Sequence, residues 1–239
     1  MGTLDGLVLA LIAFGGGVVS STFGIGGAFI IIPLSALVIP LKKSIAILAF
    51  FFLAGDVTKS VVFWKYIDWR ATNLLWLGAI PGVLVGALSL VSFPVETVQK
   101  ILGLMILFYV LNSYTGFIDR VRVGSRLIVA GGFLYGFFAG VIGTGAAIKG
   151  AILLQLGLRK EKFIGTMSVN AVLLNLIKIL VYSKYTLIHK GDLGIIILLA
   201  VTSVFAVLTG RFFVRRVSAT VFRNVVLGIL LFSSIKMLT

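Results

Sequence analysis

Eight apolar runs, separated by short polar stretches, occupy about residues 5–39, 45–64, 74–93, 101–117, 127–157, 164–183, 193–213 and 224–238. A helix needs about 20 apolar residues, each rising about 1.5 Å, to cross a bilayer. Most of the runs fit one such helix. So little polar sequence remains between them that the chain has no means of hiding its apolar surface in a core of its own. Of its 239 residues 60% are apolar and 12% charged, where a soluble domain has about 45–50% and about 25%. The sequence therefore reads as an all-α polytopic membrane protein in a single domain, residues 1–239, with the lipid bilayer as part of its solvent.

The same composition removes other classes. Disorder requires low hydrophobicity. With no cysteine and only His189, the chain offers neither a disulfide framework nor a thiolate or imidazole cluster, so no metal and no cofactor is expected. The net charge of +14 falls in short clusters between the runs, as loop charges do when they hold a membrane topology, and no nucleic-acid partner is expected. Met1–Asp5 contains no Lys or Arg, so it lacks the basic start of a cleaved signal peptide, and the first run is expected to stay.

The first and fifth runs are too long for one crossing, and glycines interrupt both. One reads FGIGGAFIIIP over Phe23–Pro33 and the other IGTGAAIKG over Ile142–Gly150. Each is read as two short helices broken at the glycines, with the chain turning back inside the membrane. A long broken run followed by three ordinary ones occurs twice. An offset of 119 residues sets Gly24 on Gly143, Gly26 on Gly145, Asp56 on Asn175 and Lys59 on Lys178. The halves are 1–117 and 127–239, joined by the basic loop 118–126. If each broken element returns to its starting side, the loops carry 12 Lys and Arg on one side and 6 on the other. If each crosses, the bias nearly vanishes. Basic loops favour the cytoplasm, so the expected arrangement is an inverted repeat in the cell membrane, with both termini outside.

Lys59, Lys149 and Lys178 lie within apolar runs, where a central lysine costs about 2.5–3.5 kcal/mol on insertion scales. Lysines near a run's end can snorkel to the headgroups. The equivalence of Lys59 and Lys178 points instead to opposite sides of one anion site, with Asp56 one turn before Lys59 and Asn175 as its weaker counterpart. Where a helix begins inside the membrane, its first N–H groups lack partners and present positive charge. The breaks at Gly24, Gly26 and Gly27 and at Gly143 and Gly145 are therefore read as the rest of the site, with Gly26 and Gly145 expected to need a backbone conformation that a Cβ obstructs. Gly132, Gly136 and Gly140, and Gly82 and Gly86, read as helix packing. Thr166, Ser168 and Asn170 read first as interhelical hydrogen-bonding groups and second as substrate ligands. Trp64, Tyr66, Trp69 and Trp76 read as boundary anchors.

The two glycine motifs, together with GTMSVNAVLLNLIKILVY over Gly165–Tyr182, resemble the sulfite exporter TauE/SafE family of membrane proteins. The resemblance spans nearly the whole chain and implies transport of a small sulfur-containing anion such as sulfite or a sulfonate. The second half departs from the family pattern. Ala146 stands in place of a glycine, no proline follows it, and Lys149 occupies the position of Ile30 in the first half. An extra cation there favours a divalent or more strongly acidic anion, unless it snorkels from the end of a short helix.

The expected function is a secondary transporter working by alternating access, with Lys59, Lys149, Lys178, Asn175 and the glycine breaks as substrate ligands. Asp56, the one acidic residue well inside an apolar run, is the candidate proton carrier. The coupling ion, a proton or another, stays open, as does a homo-oligomeric assembly. An anion channel with a lysine-lined pore is the alternative. An enzyme is not expected, because the apolar runs hold no nucleophile paired with a base.

Overall fold

The computed structural model describes residues 3–23, 27–116, 124–213 and 219–238. Among the described residues all regular structure is helical. The first half comprises α1 (Thr3–Phe23), α2 (Gly27–Ser35), α3 (Leu41–Val62), α4 (Trp69–Ser92) and α5 (Val95–Thr115). The second comprises α6 (Ser125–Ile142), α7 (Ala146–Gln155), α8 (Lys160–Lys184), α9 (Leu193–Phe213) and α10 (Ala219–Leu238). Six helices among the described residues are long and apolar enough to cross a membrane. The chain is an all-α, multi-pass membrane protein.

The broken runs differ from expectation in one respect. Each contains one helix of crossing length and one short helix, rather than two short ones. With 21 residues α1 reaches about 31 Å, while the 9 residues of α2 reach about 14 Å. The lengths of 18 and 10 residues for α6 and α7 repeat the pattern. The break comes late in each run, after enough apolar sequence to span about 30 Å of hydrocarbon. Gly15, Gly16 and Gly17 do not break α1. Side chains from Ile31, Phe51 and Ala206 occupy the space a Cβ would need at Gly16 and Gly17, as close packing of membrane helices requires.

Glycine contacts also fix how the helices run. A Cβ at Gly78, Gly82 or Gly86 would strike the backbone of Val129, Phe133 or Phe137, and one at Gly132 or Gly136 that of Leu75 or Ala79. Helices α4 and α6 therefore lie parallel with backbones interlocked, as the GxxxG spacing predicts; Gly78 extends the row. Helix α1 lies parallel to α9, Gly6 beside Ile195 and Gly17 beside Ala206. The starts of α3 and α9 and the end of α4 share one end of the bundle. There Lys43 pairs with Asp192 at 2.8 Å and Lys42 donates to the Val91 carbonyl at 3.0 Å. At the opposite end the start of α8 meets the end of α3, where Gly165 lies against the Phe63 carbonyl. Helices α3 and α8, which pack together, are thus antiparallel. The short helices double back: Ile31 of α2 lies beside Gly16, and Ile152 of α7 beside Gly131.

The largest apolar core joins α2, the first half of α3 and α5, around Phe29, Ile31, Ile45, Ile47 and Leu102. Outward-facing Leu77, Ile197 and Phe205 stay exposed, as lipid-facing side chains should. Trp64, Trp69 and Trp76 form an edge-to-face series with centroids 5.2 and 6.4 Å apart. Exposed Trp64, Tyr66 and Trp69 suit the boundary role read for them.

Candidate functional site: a cationic cavity between the two halves

The antiparallel α3 and α8 bring the polar residues of both halves to one cavity of about 110 Å³. A water needs about 10–15 Å³ of such space, so several waters or a compact anion fit. The start of α2, the end of α6, the start of α7 and the middle of α9 complete the wall. Gly27, Asp56, Lys59, Gly143, Gly145, Lys149, Asn175 and Lys178 all line it. Gly24 and Gly26 lie outside the described residues.

On α3, Lys59 Nζ pairs with Asp56 Oδ1 at 2.8 Å, one turn away, with 20% of the lysine side chain exposed. The other carboxylate oxygen, Oδ2, accepts from Asn175 Nδ2 at 3.2 Å. Lys178, one turn beyond Asn175 on α8, is 2% exposed. Its Nζ donates to the Gly143 carbonyl at 3.1 Å. The snorkelling alternative does not hold for Lys178: its ammonium turns inward to the break between α6 and α7.

Lys149 does not snorkel either. It sits in the first turn of α7, 3% exposed, because α7 lies against α6 and α8. Its Nζ donates to the Met167 carbonyl at 2.6 Å and to the Tyr135 hydroxyl at 3.1 Å, and stands 4.6 Å from the centre of the Tyr135 ring. Neither Lys149 nor Lys178 has a carboxylate within ion-pair distance among the described residues; Asp56, the carboxylate that lines the cavity, pairs with Lys59. Three ammoniums thus face one carboxylate around the cavity.

The glycines act differently from one another. Gly143 ends α6 with φ +84°, a left-handed conformation in which a Cβ is strained. That turn aims its carbonyl at Lys178. Gly145, expected to need a conformation closed to other residues, has φ −133°, which any residue adopts. What demands glycine there is proximity, since a Cβ would strike the Tyr135 carbonyl of α6. Ala146 N donates to Thr144 Oγ1 at 3.3 Å. The first residues of α2 and α7, Gly27 and Ala146, both line the cavity, so two helix N-termini converge on it.

Asn170 and Thr166 serve the α4–α8 contact. Asn170 Nδ2 donates to Thr72 Oγ1 at 3.3 Å, and Thr166 Oγ1 accepts from Asp68 N at 2.9 Å. Ser168 lines the cavity but donates its hydroxyl proton to the Ile164 carbonyl at 2.8 Å. Tyr135 is the residue sequence reasoning missed. Its signal was a phenol inside the GxxxG run of α6, a polar tip that must find a partner when buried.

No curated protein and no solved structure matches the chain. The model of the sulfite exporter TauE/SafE family matches residues 9–237, nearly its whole length, and the chain belongs to that family of membrane transporters.

Proposed function

We propose that the protein is a secondary transporter carrying a small sulfur-containing anion, sulfite or a sulfonate, across the cell membrane by alternating access. The observation that carries this reading is the cavity in which Lys59, Lys149 and Lys178 meet one carboxylate and the first turns of two short helices. In a site of low dielectric, ammonium donors and helix N-termini favour an anion. Lys59 and Lys178 approach it from α3 and α8, Asn175 and the backbone at Gly27, Gly143 and Gly145 supply neutral contacts, and Asp56 is the group able to carry a coupling proton. Gly24 and Gly26 belong to the same proposal by their equivalence to Gly143 and Gly145.

The halves 1–117 and 127–239 are proposed to be inverted repeats. The directions support this: α3 and α8, equivalent under the offset, run antiparallel, and each short helix doubles back along its long one. With the more basic loops in the cytoplasm, both termini face outside. Transport by rocking of two such halves about a central site is the general logic of inverted-repeat transporters. An anion channel is the alternative, and one observation disfavours it. Tyr182, one turn beyond Lys178, is fully buried and its hydroxyl donates to the Gly140 carbonyl, filling that end instead of lining a pore.

Sulfite flux into proteoliposomes tests the reading. Saturable uptake accelerated by unlabelled anion on the far side is expected. Non-saturating flux without that acceleration would favour the channel, and no flux of any anion in a panel of sulfite and sulfonates would refute both.

A further inference from the structure

The cavity is not symmetric between the halves, and the asymmetry bears on which anions it holds. Under the 119-residue offset, Lys149 falls on Ile30 and Tyr135 on Gly16. The second half thus adds an ammonium and a phenol that the first half lacks. At the position equivalent to Asp56, where a second carboxylate would have balanced the added charge, stands the amide of Asn175.

Counting donors sharpens this. An ammonium has three N–H groups. Lys149 commits two, to the Met167 carbonyl and the Tyr135 hydroxyl, and Lys178 commits one, to the Gly143 carbonyl. Both residues line the cavity, both are at least nine-tenths buried, and every acceptor just named is neutral. Two buried cations therefore hold unspent donors toward one space, and among the described residues the one carboxylate that lines it, Asp56, is already shared by Lys59 and Asn175. Buried charge is expensive unless paired, so an occupant bringing two negative charges gains more here than one bringing a single charge.

Resting on the anion-site reading above, we infer that the site selects compact doubly charged oxyanions over singly charged sulfonates, and that Lys149 with Tyr135 is the specificity determinant. Sulfate and methanesulfonate form a suitable probe pair. Both are tetrahedral at sulfur and of similar size, and they differ by a charged oxygen against a methyl group. The methyl group leaves an ammonium facing an apolar surface.

The test is titration of the purified protein with each anion at constant ionic strength, read by calorimetry and by thermal stabilisation. Sulfate is expected to bind at least about tenfold more tightly than methanesulfonate. In Lys149→Met the ratio of the two affinities should fall by about tenfold or more, because Met keeps most of the stem and removes the charge. Lys149→Gln provides a second variant with the same expectation, should the first not fold. Equal affinity of the unaltered protein for both anions would overturn the inferred selectivity while leaving the anion site standing. An unchanged ratio in both variants would remove Lys149 as the determinant. Binding of neither anion, nor of sulfite, to the unaltered protein would refute the anion-site reading itself, and this inference with it.

Discussion

Asn175 Nδ2 donates to Asp56 Oδ2 at 3.2 Å, and the two residues stand 119 positions apart, the offset that aligns the halves of the sequence. Under the inverted repeat proposed above, such equivalent residues touch where the two-fold axis passes. One carboxylate there holds both the Lys59 ammonium and the Asn175 amide. With an amide in place of a second carboxylate, Lys178 turns to the Gly143 carbonyl, and the cavity keeps an excess of positive charge.

Asp56→Asn should separate coupling from binding. The substitution removes the carboxylate that pairs with Lys59 and leaves the cations in place. Sulfite counterflow without an ion gradient is expected to continue, while net uptake driven by a proton gradient falls at least about tenfold, or 1.4 kcal/mol. Gradient-driven uptake equal to that of the parent protein would rule Asp56 out as the proton carrier.

Lys59→Met and Lys178→Met should each weaken sulfite binding by about tenfold or more, since a partly desolvated charge beside an anion is worth more than that factor. Abundance should hold for Lys178→Met, because Met keeps the stem without the cost of a buried charge, whereas Lys59→Met, which strips Asp56 of its ion-pair partner, should lose some folded protein. If both variants bind and transport sulfite like the parent, the site lies elsewhere.

The glycines should divide into two groups by what they touch. Gly82→Val and Gly136→Ala set a Cβ against the backbone of the facing helix, an overpacking of about 1–3 kcal/mol or more. Both should lower the melting temperature of the purified protein, while Gly191→Ala, with nothing near its Cβ, should not. Gly145→Val belongs with the first group, because of the Tyr135 carbonyl, and should lose folded protein as well as flux. A Gly145→Val protein melting like the parent would show that α7 can shift away from α6.

Gly143→Ala should act through conformation. With φ +84°, an Ala there costs about 1–2 kcal/mol and turns the carbonyl away from Lys178. Sulfite uptake per folded protein should fall by more than the loss of stability explains. Unchanged uptake would mean that this turn does not hold Lys178 in its working position.

Orientation is open to cysteine labelling, since the chain has no cysteine of its own. Single cysteines at positions 2 and 239 should react with an impermeant reagent applied outside intact cells, and one at position 124 should not. Reaction at 124 from outside would reverse the proposed topology.

Much of the fold was legible because hydrophobic length is a local quantity: a run of sufficient apolar residues must become a crossing helix in lipid, whatever its neighbours. The polar residues of the cavity were legible for a related reason. A lysine inside such a run is costly enough to be noticed singly, and the repetition of Gly143 and Lys178 at one offset from Gly24 and Lys59 linked them. The glycine rows of α4 and α6 were equally plain from spacing, although Gly78 needed its partner Val129 to be seen.

What only the tertiary structure decided is which groups meet. Whether Lys149 and Lys178 reach the headgroups or an interior cavity depends on which helices pack over them, and a stem of four carbons permits either. Tyr135 becomes a partner of Lys149 only because α7 folds back along α6, a contact across the break that no helical periodicity encodes. The need for glycine at 145 has the same origin, since it comes from the carbonyl of another helix and not from Gly145's own backbone angles. Sequence determined the lipid-facing helices, the breaks and which charges lie within apolar runs, because each is set by residues adjacent in the chain. The pairing of those charges, and hence the positive excess left for an anion, was decided by long-range packing.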